Sequence, residues 1–471
     1  MNRNLFLPLV VIVTLLGGCS LAPEYIRPDA PIPADWSSTA AYSASEVEAG
    51  TPAPVVTEMR WREFFTDKRL QKIIEIALNN NRDLRLAVLN VERARALYGI
   101  QRAELLPSAN AVGSGSKERV SADLSSTGRA MTAEKYGVNL GITSWEIDFF
   151  GRIRSLKDRA LEAYLATDQA RSSAQISLVS AVAEAYLALA ADRENLKLAR
   201  STMETHQAAY ELTHKRYEVG VANKLELRQS QTQVDTACGD LARYIQQVAK
   251  DENALNLLLG SPAPSNLLPV DLSRVILQRE ISPSMSSEVL LLRPDILQAE
   301  HQLKGAYANI GAARAAFFPS ISLTTAIGTA SSDLSGLFKD GSGVWSFAPR
   351  IAIPIFDART WSAYKVTKIE REIALAQYEK AIQTAFKEVA DTLAERGMVD
   401  QRVAAQQSLV NAVAETYRLS NKRYTSGITS YLGVLDAQRF LYAAQQGLIS
   451  LRLARLANQV KLYAVLGGGS E

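Results

Sequence analysis

The strongest constraint in this chain is a stretch with nothing in it to stop a helix. From Arg152 to Val219, about 68 residues pass without a glycine or a proline. Alanine, leucine, glutamate, glutamine, lysine and arginine dominate it, the residues that lose least on entering a helix. At 1.5 Å per residue an unbroken helix of that length reaches about 100 Å. A second such run extends from Ala358 to Ser426, free of proline and with Gly397 as its only glycine. Helices of ordinary globular proteins average about 11 or 12 residues, so two rods of this kind predict a molecule built to span a distance.

The rods also carry packing information. Ile176, Val179, Ala183, Tyr186 and Ala190 follow a 3-4-3-4 spacing that lays one apolar stripe along the helix. Leu178, Val182, Ala185 and Leu189 form a second stripe, rotated from the first. A two-stranded coiled coil needs one seam. Two seams with small alanines in both predict neighbours on two sides, as in a ring or sheet of helices.

The N-terminus reads as an address. Arg3 precedes an apolar segment from Leu5 to Leu16, followed by Leu16-Gly17-Gly18-Cys19. A basic start, a short apolar core and small residues before the cut make residues 1–18 a secretory signal, too short to remain as a spanning helix. The Leu-Gly-Gly-Cys ending resembles a bacterial lipobox, which makes Cys19 the first mature residue and the bearer of diacylglycerol and N-acyl lipid. Ser20 follows, where an aspartate would signal retention at the inner membrane. Residues 19–60, rich in Pro, Ala and Ser, read as a lipidated, extended tether. Beyond the signal no uninterrupted run of eighteen apolar residues occurs, so a membrane crossing has to be a closed β-barrel.

Composition removes several classes of function. The chain has 52 Lys+Arg against 49 Asp+Glu and a formal net charge of +3, which gives no basis for nucleic-acid binding. Three dispersed histidines, His206, His214 and His301, offer neither a metal cluster nor an acid–base constellation. No cofactor and no metal is expected beyond the lipid. His206 and His214, inside the first rod, read as solvated surface. Cys238 reads as a lone thiol.

Taken in order, the chain repeats itself. A short amphipathic helix after Trp61 breaks at Asn79-Asn80-Asn81, and a second runs from Asp83 to a stop at Pro107. The period then changes from 3.6 to 2. Residues 108–118 and 136–147 are short, Gly-rich and alternating, and they flank a polar segment from Arg119 to Lys135, so two strands joined by a long loop are expected. The first rod follows to Gly220, then a helix from about Leu225 to Leu259. Arg102-Ala103-Glu104-Leu105-Leu106-Pro107-Ser108 then finds a counterpart in Arg314-Ala315-Ala316-Phe317-Phe318-Pro319-Ser320. Lys215-Arg216-Tyr217-x-x-Gly220 matches Lys422-Arg423-Tyr424-x-x-Gly427, and Leu258-Leu259-Gly260 matches Val465-Leu466-Gly467. The offsets are 212, 207 and 207 residues. Near-constant offsets over three motifs mean an internal duplication, with repeats at 61–262 and 263–471. The second copy has strands near 320–330 and 343–356, with Pro354 inside the last. Four strands cannot close a membrane barrel, whose smallest form has eight, and open edges are forbidden in lipid. The chain is therefore expected to share its barrel with copies of itself, eight strands from two or twelve from three.

The motifs then become specific. Cys19-Ser20-Leu21-Ala22-Pro23-Glu24-Tyr25-x-Arg27-Pro28, Trp61-Arg62-x-Phe64-Phe65, Asn80-Asn81-Arg82-Asp83-Leu84, Trp145-Glu146-x-Asp148-x-Phe150-Gly151-Arg152, Arg293-Pro294-Asp295-Ile296 and Gly311 to Ser320 occur in this order. Together they resemble the OprM/CusC-type outer-membrane factors of tripartite efflux pumps, from the signal peptide to the C-terminus. The resemblance implies a mixed α and β membrane protein of the TolC type. It implies a homotrimer with a twelve-stranded transmembrane β-barrel in the outer membrane and a long α-helical coiled-coil barrel across the periplasm. It implies partners too: a periplasmic adaptor and an inner-membrane transporter of the resistance-nodulation-division class. The activity implied is passive, gated export of drugs or other toxic small molecules, with heavy-metal efflux or type I protein secretion as alternatives on the same fold.

The resemblance also carries residue roles. Asp436, in Leu435-Asp436-Ala437-Gln438-Arg439, falls on the family's periplasmic gate aspartate, and Leu432, one turn earlier, on its apolar ring. Arg423, Tyr424 and Asp192 match residues that tether the closed gate, which leads to the expectation of an Asp192–Arg423 bridge. Three carboxylates crowded on one axis would attract cations and narrow the pore. An enzyme, such as a periplasmic hydrolase, would need a constellation that is missing here. A coiled-coil spacer would have no use for strands at matching places in both copies.

Overall fold

The computed structural model describes residues 20–33, 36, 60–275 and 286–468. Cys19, with the lipid expected on it, and most of the tether lie outside the described residues. The first half of the chain forms α1 (Trp61–Phe64), α2 (Lys68–Asn80), α3 (Arg82–Ala103), β1 (Ala109–Val120), β2 (Met131–Ile147), α4 (Arg152–Glu218) and α5 (Lys224–Leu259). After short 3-10 turns, the second forms α6 (Pro294–Ala315), β3 (Ser320–Ser331), β4 (Gly343–Ala352), α7 (Ala358–Thr425) and α8 (Tyr431–Val465). The order helix, strand, strand, long helix, helix thus occurs twice.

The chain divides into two units. One holds Asn90–Thr167 and Gln298–Tyr378 with the residues up to Asp29, and contains the sheet; the other holds Ala30–Leu89, Asp168–Leu297 and Glu379–Glu471.

In the helical unit, the break at the asparagines works through one side chain. Asn81 ends α2, its Nδ2 donates to the Leu258 carbonyl (2.9 Å), and its Oδ1 accepts from the Leu84 N–H (2.9 Å) to cap α3. Trp61, Phe64, Phe65, Leu70, Ile73 and Ile74 are buried, and the Phe64 ring stacks on Tyr463 at 4.6 Å. Both stripes of α4 are covered: Ile176, Val179, Ala183, Tyr186 and Ala190 on one, Leu178, Val182 and Leu189 on the other. Neighbours stand on two sides. Arg193 pairs with Glu252 of α5 (2.7 Å), and Glu194 with Arg452 of α8 (2.9 Å).

Several sequence expectations need correction. One eighteen-residue window of α4 is apolar enough to cross a membrane by composition, with mean hydropathy 1.5, although 61% of it is buried within the protein. The alanines and leucines of two seams add up to that value without an uninterrupted apolar run. His206 is buried, not solvated, and its burial lowers its pKa. It continues the second stripe, at Leu189 plus seventeen, where the 3-4 spacing carries any residue inward. The loop between β1 and β2 shrinks to residues 121–130, because polar cross-strand pairs such as Lys117–Glu134 (2.5 Å) extend the ladder where no alternation of hydrophobicity marks it. Pro354 lies beyond β4, and the proline inside that strand is Pro349. An edge strand tolerates it, since its missing N–H can lie on the unpaired side.

Candidate functional site

Two places in the chain are candidates for function: a sheet with one large apolar face, and a pair of helix turns with an exposed stripe beside them. In the sheet, β1, β2, β3 and β4 lie in that order and pair antiparallel, so β1 and β4 are edges. The register puts Leu140, Ile327 and Trp345 in one row and Ile142, Thr325 and Phe347 in another. Alternate rows point to the opposite face. There Asn110, Gly141, Ala326 and Ser346 stand side by side. One face thus carries most of the large apolar side chains and the other mostly small or polar ones, Val112 and Val344 excepted, the pattern of a membrane barrel wall. A bulge between Ile142 and Trp145 preserves it: Thr143 and Ser144 together stand opposite Thr324, one residue in excess, so Trp145 opposes Leu323 and stays on the apolar face. Ser144 takes φ +53° there, and its N–H donates to Thr324 Oγ1 (3.2 Å).

The turns from α4 to α5 and from α7 to α8 are built alike. Gly220 (φ +78°) donates its N–H to the Tyr217 carbonyl, and Val221 to that of Arg216. Gly427 (φ +72°) donates to Tyr424, and Ile428 to Arg423. This paired closure of a helix end requires the left-handed residue that glycine supplies. The two turns also meet. Arg216 Nη1 donates to the Tyr424 hydroxyl (2.9 Å), and the Tyr424 ring lies 5.0 Å from that of Tyr431. Tyr424 therefore links the two turns, and its partner there is Arg216. Arg423 points its side chain outward and is exposed.

On α8, Tyr431, Val434 and Leu435 are buried, with Tyr417 and Tyr424 packed against them. Gln438 Nε2 donates to the Tyr417 hydroxyl (3.0 Å). The other side of the helix is open: Leu432, Asp436, Arg439 and Phe440 are all exposed. At 100° per residue these four fall within about 100° of arc, so they form one stripe. Leu432 is 51% and Phe440 69% exposed. Asp436 Oδ1 stands 3.9 Å from Arg439 Nη2.

The expected Asp192–Arg423 bridge is not formed. Asp192 precedes Arg216, the residue in contact with Tyr424, by 24 positions of one unbroken helix, which is about 36 Å along its axis. It continues the second stripe of α4 and meets α5 instead. Asn195 Nδ2 donates to Asp192 Oδ1 (3.3 Å), and Asp192 is the hydrogen-bond neighbour of Asp251. Arg216 and Phe440 are the residues that sequence reasoning missed. The matching Lys-Arg-Tyr motifs held a signal for the first, and the i, i+4, i+8 spacing from Leu432 for the second.

Residues 73–261 and 285–468 each match the family described as outer membrane efflux protein. The antibiotic efflux pump outer membrane protein ArpC of Pseudomonas putida is 47% identical over 471 residues, all of this chain and 96% of its own. The toluene efflux pump outer membrane protein TtgC of Pseudomonas putida is 47% identical, with the same coverage. The crystal structure of the open state of the MtrE outer membrane channel of Neisseria gonorrhoeae superposes with a TM-score of 0.85 at 36% identity, over 96% of this chain and 99% of that one. Two matched halves, a sheet with a lipid face and the fold of an outer-membrane channel agree: the chain belongs to the outer membrane efflux protein family.

Proposed function

We propose that the protein works as the outer-membrane channel of a tripartite efflux pump, a passive gated conduit assembled as a homotrimer. The observation that carries this reading is the sheet: one apolar face, one small and polar face, and two edges that its own chain leaves open. Three copies supply twelve strands and close them, with a lumen left inside. A lipid on Cys19 adds a second anchor in the outer membrane, in line with the membrane affinity of acyl chains. A periplasmic adaptor and an inner-membrane transporter of the resistance-nodulation-division class deliver the cargo, and no chemistry is performed on it. Relatives named for antibiotic and toluene efflux support small apolar or amphipathic toxic compounds as that cargo. Leu432 and Asp436 form the periplasmic gate, and the Tyr424–Arg216 contact holds the two hairpins together in the closed state.

The test is electrical. Purified protein should run as a heat-modifiable trimer and give small, flickering conductance in planar bilayers. Asp436→Ala combined with Arg216→Ala should raise that conductance several-fold. A folded trimer whose conductance is unchanged by the pair would place closure elsewhere, and failure to form any membrane-inserted oligomer would remove the channel itself.

A further inference from the structure

The charge at the gate does not suffice to close it. Between Tyr431 and Ala444, α8 carries two charged side chains, Asp436 and Arg439, one of each sign. They lie 3.9 Å apart, three residues from each other on the same face. Each copy therefore brings a compensated pair, and a ring of such pairs has no net charge to repel or concentrate ions. Salt at physiological strength screens what remains beyond about 8 Å. Closure then depends on the residues on either side of the pair. Leu432 lies one turn before Asp436 and Phe440 one turn after it, each about 6 Å along the axis. Both are exposed, Phe440 more than two-thirds, on a helix whose other apolar residues are mostly turned inward. An aromatic side chain left open on the stripe that already holds the candidate gate has a use there.

We infer that Phe440 forms an apolar constriction of the periplasmic gate, and that the closed channel excludes ions by drying the passage at Phe440 and Leu432. This rests on the reading of Leu432 and Asp436 as the gate and adds a residue and a physical mode of closure to it. Apolar constrictions close to ions while still wider than a water molecule, because a narrow apolar passage empties of water. Such a barrier differs from a carboxylate ring in two ways. It does not favour cations over anions, and its strength does not fall with salt.

The experiment places charge at the site in the assembled channel. Phe440→Cys is made in a Cys238→Ser background, so that a small, apolar side chain leaves assembly to the remaining contacts. Channels in planar bilayers are then treated from the periplasmic side with a positively charged methanethiosulfonate. Wetting the constriction should raise the current several-fold, by the same factor in 0.1 and 1 M KCl. Phe440→Leu should conduct as wild type, and Phe440→Asn should conduct more. Confirmed labelling without a rise in current would overturn the inference, and so would the absence of labelling, which would put the side chain between copies and away from the pore. If Asp436→Ala opens the channel while Phe440→Asn does not, the gate stands and Phe440 is no part of it. If neither variant changes the current, the gate assignment on α8 fails as a whole.

Discussion

Asp192 and Asp251 show what a single position in a seam can do. Asp251 Oδ2 is buried and has no donor, and the carboxyl beside it is that of Asp192. A proton between the two carboxyls satisfies both, and its loss leaves two like charges side by side. Burial first, and then Asp192, push the Asp251 pKa up to about 6, against the single hydrogen bond from Gln247 that favours its charged form. The folded state therefore holds this proton more tightly than the unfolded chain. Its contribution is complete below about pH 4 and is lost as pH rises through about 6. Asp251→Asn, which supplies a permanent donor, should raise the thermal midpoint at pH 7.5 and leave it unchanged at pH 4. The gain is on the order of 1 kcal/mol once solvent screening of this half-buried group is allowed for. An equal shift at both pH values would show that no shared proton is involved. Sequence spacing places Asp192 in the second stripe as readily as it places Leu189. What it cannot reveal is the residue opposite, because that depends on the register of α4 against α5.

At the scale of the element, the sheet divides into what alternation reveals and what it hides. Tyr136, Val138, Leu140 and Ile142 announce β2 by their period of two. The ends of the ladder, from Met131 to Lys135 and at Arg119 and Val120, carry no such signal, since lysine pairs with glutamate there as well as leucine packs on isoleucine elsewhere. Curvature is hidden too. A Cβ on Gly141 would collide with the Thr325 carbonyl oxygen, and one on Gly328 with that of Val138. Both glycines stand in rows of the small, polar face, where adjacent backbones come close as the sheet curls. Gly328→Val should abolish the heat-modifiable oligomer. Gly113→Val, at a position open on its own side, should leave it intact. Loss in both would mean that any bulk in the sheet is harmful and that curvature at Gly328 is not the cause.

For the whole molecule, closure requires other copies, and stability should reveal it. A sheet with two open edges and an apolar outer face gains its missing hydrogen bonds only on assembly. The denaturation midpoint in detergent should therefore rise with protomer concentration. A midpoint independent of concentration over a hundredfold range would indicate a self-sufficient protomer and contradict the shared barrel.

The sequence by itself determined the rods, the strands, the duplication and the two seams. Each of these is a periodicity or a recurrence, fixed by the geometry of the backbone and the placing of glycine and proline. Only the tertiary structure decided which side chains meet across elements: Tyr424 with Arg216 and not Arg423 with Asp192, His206 inward and Phe440 outward. A contact between helices depends on their rotation and register over distances of about 100 Å for rods of this length. One residue of slip changes every partner while the pattern along each helix stays the same.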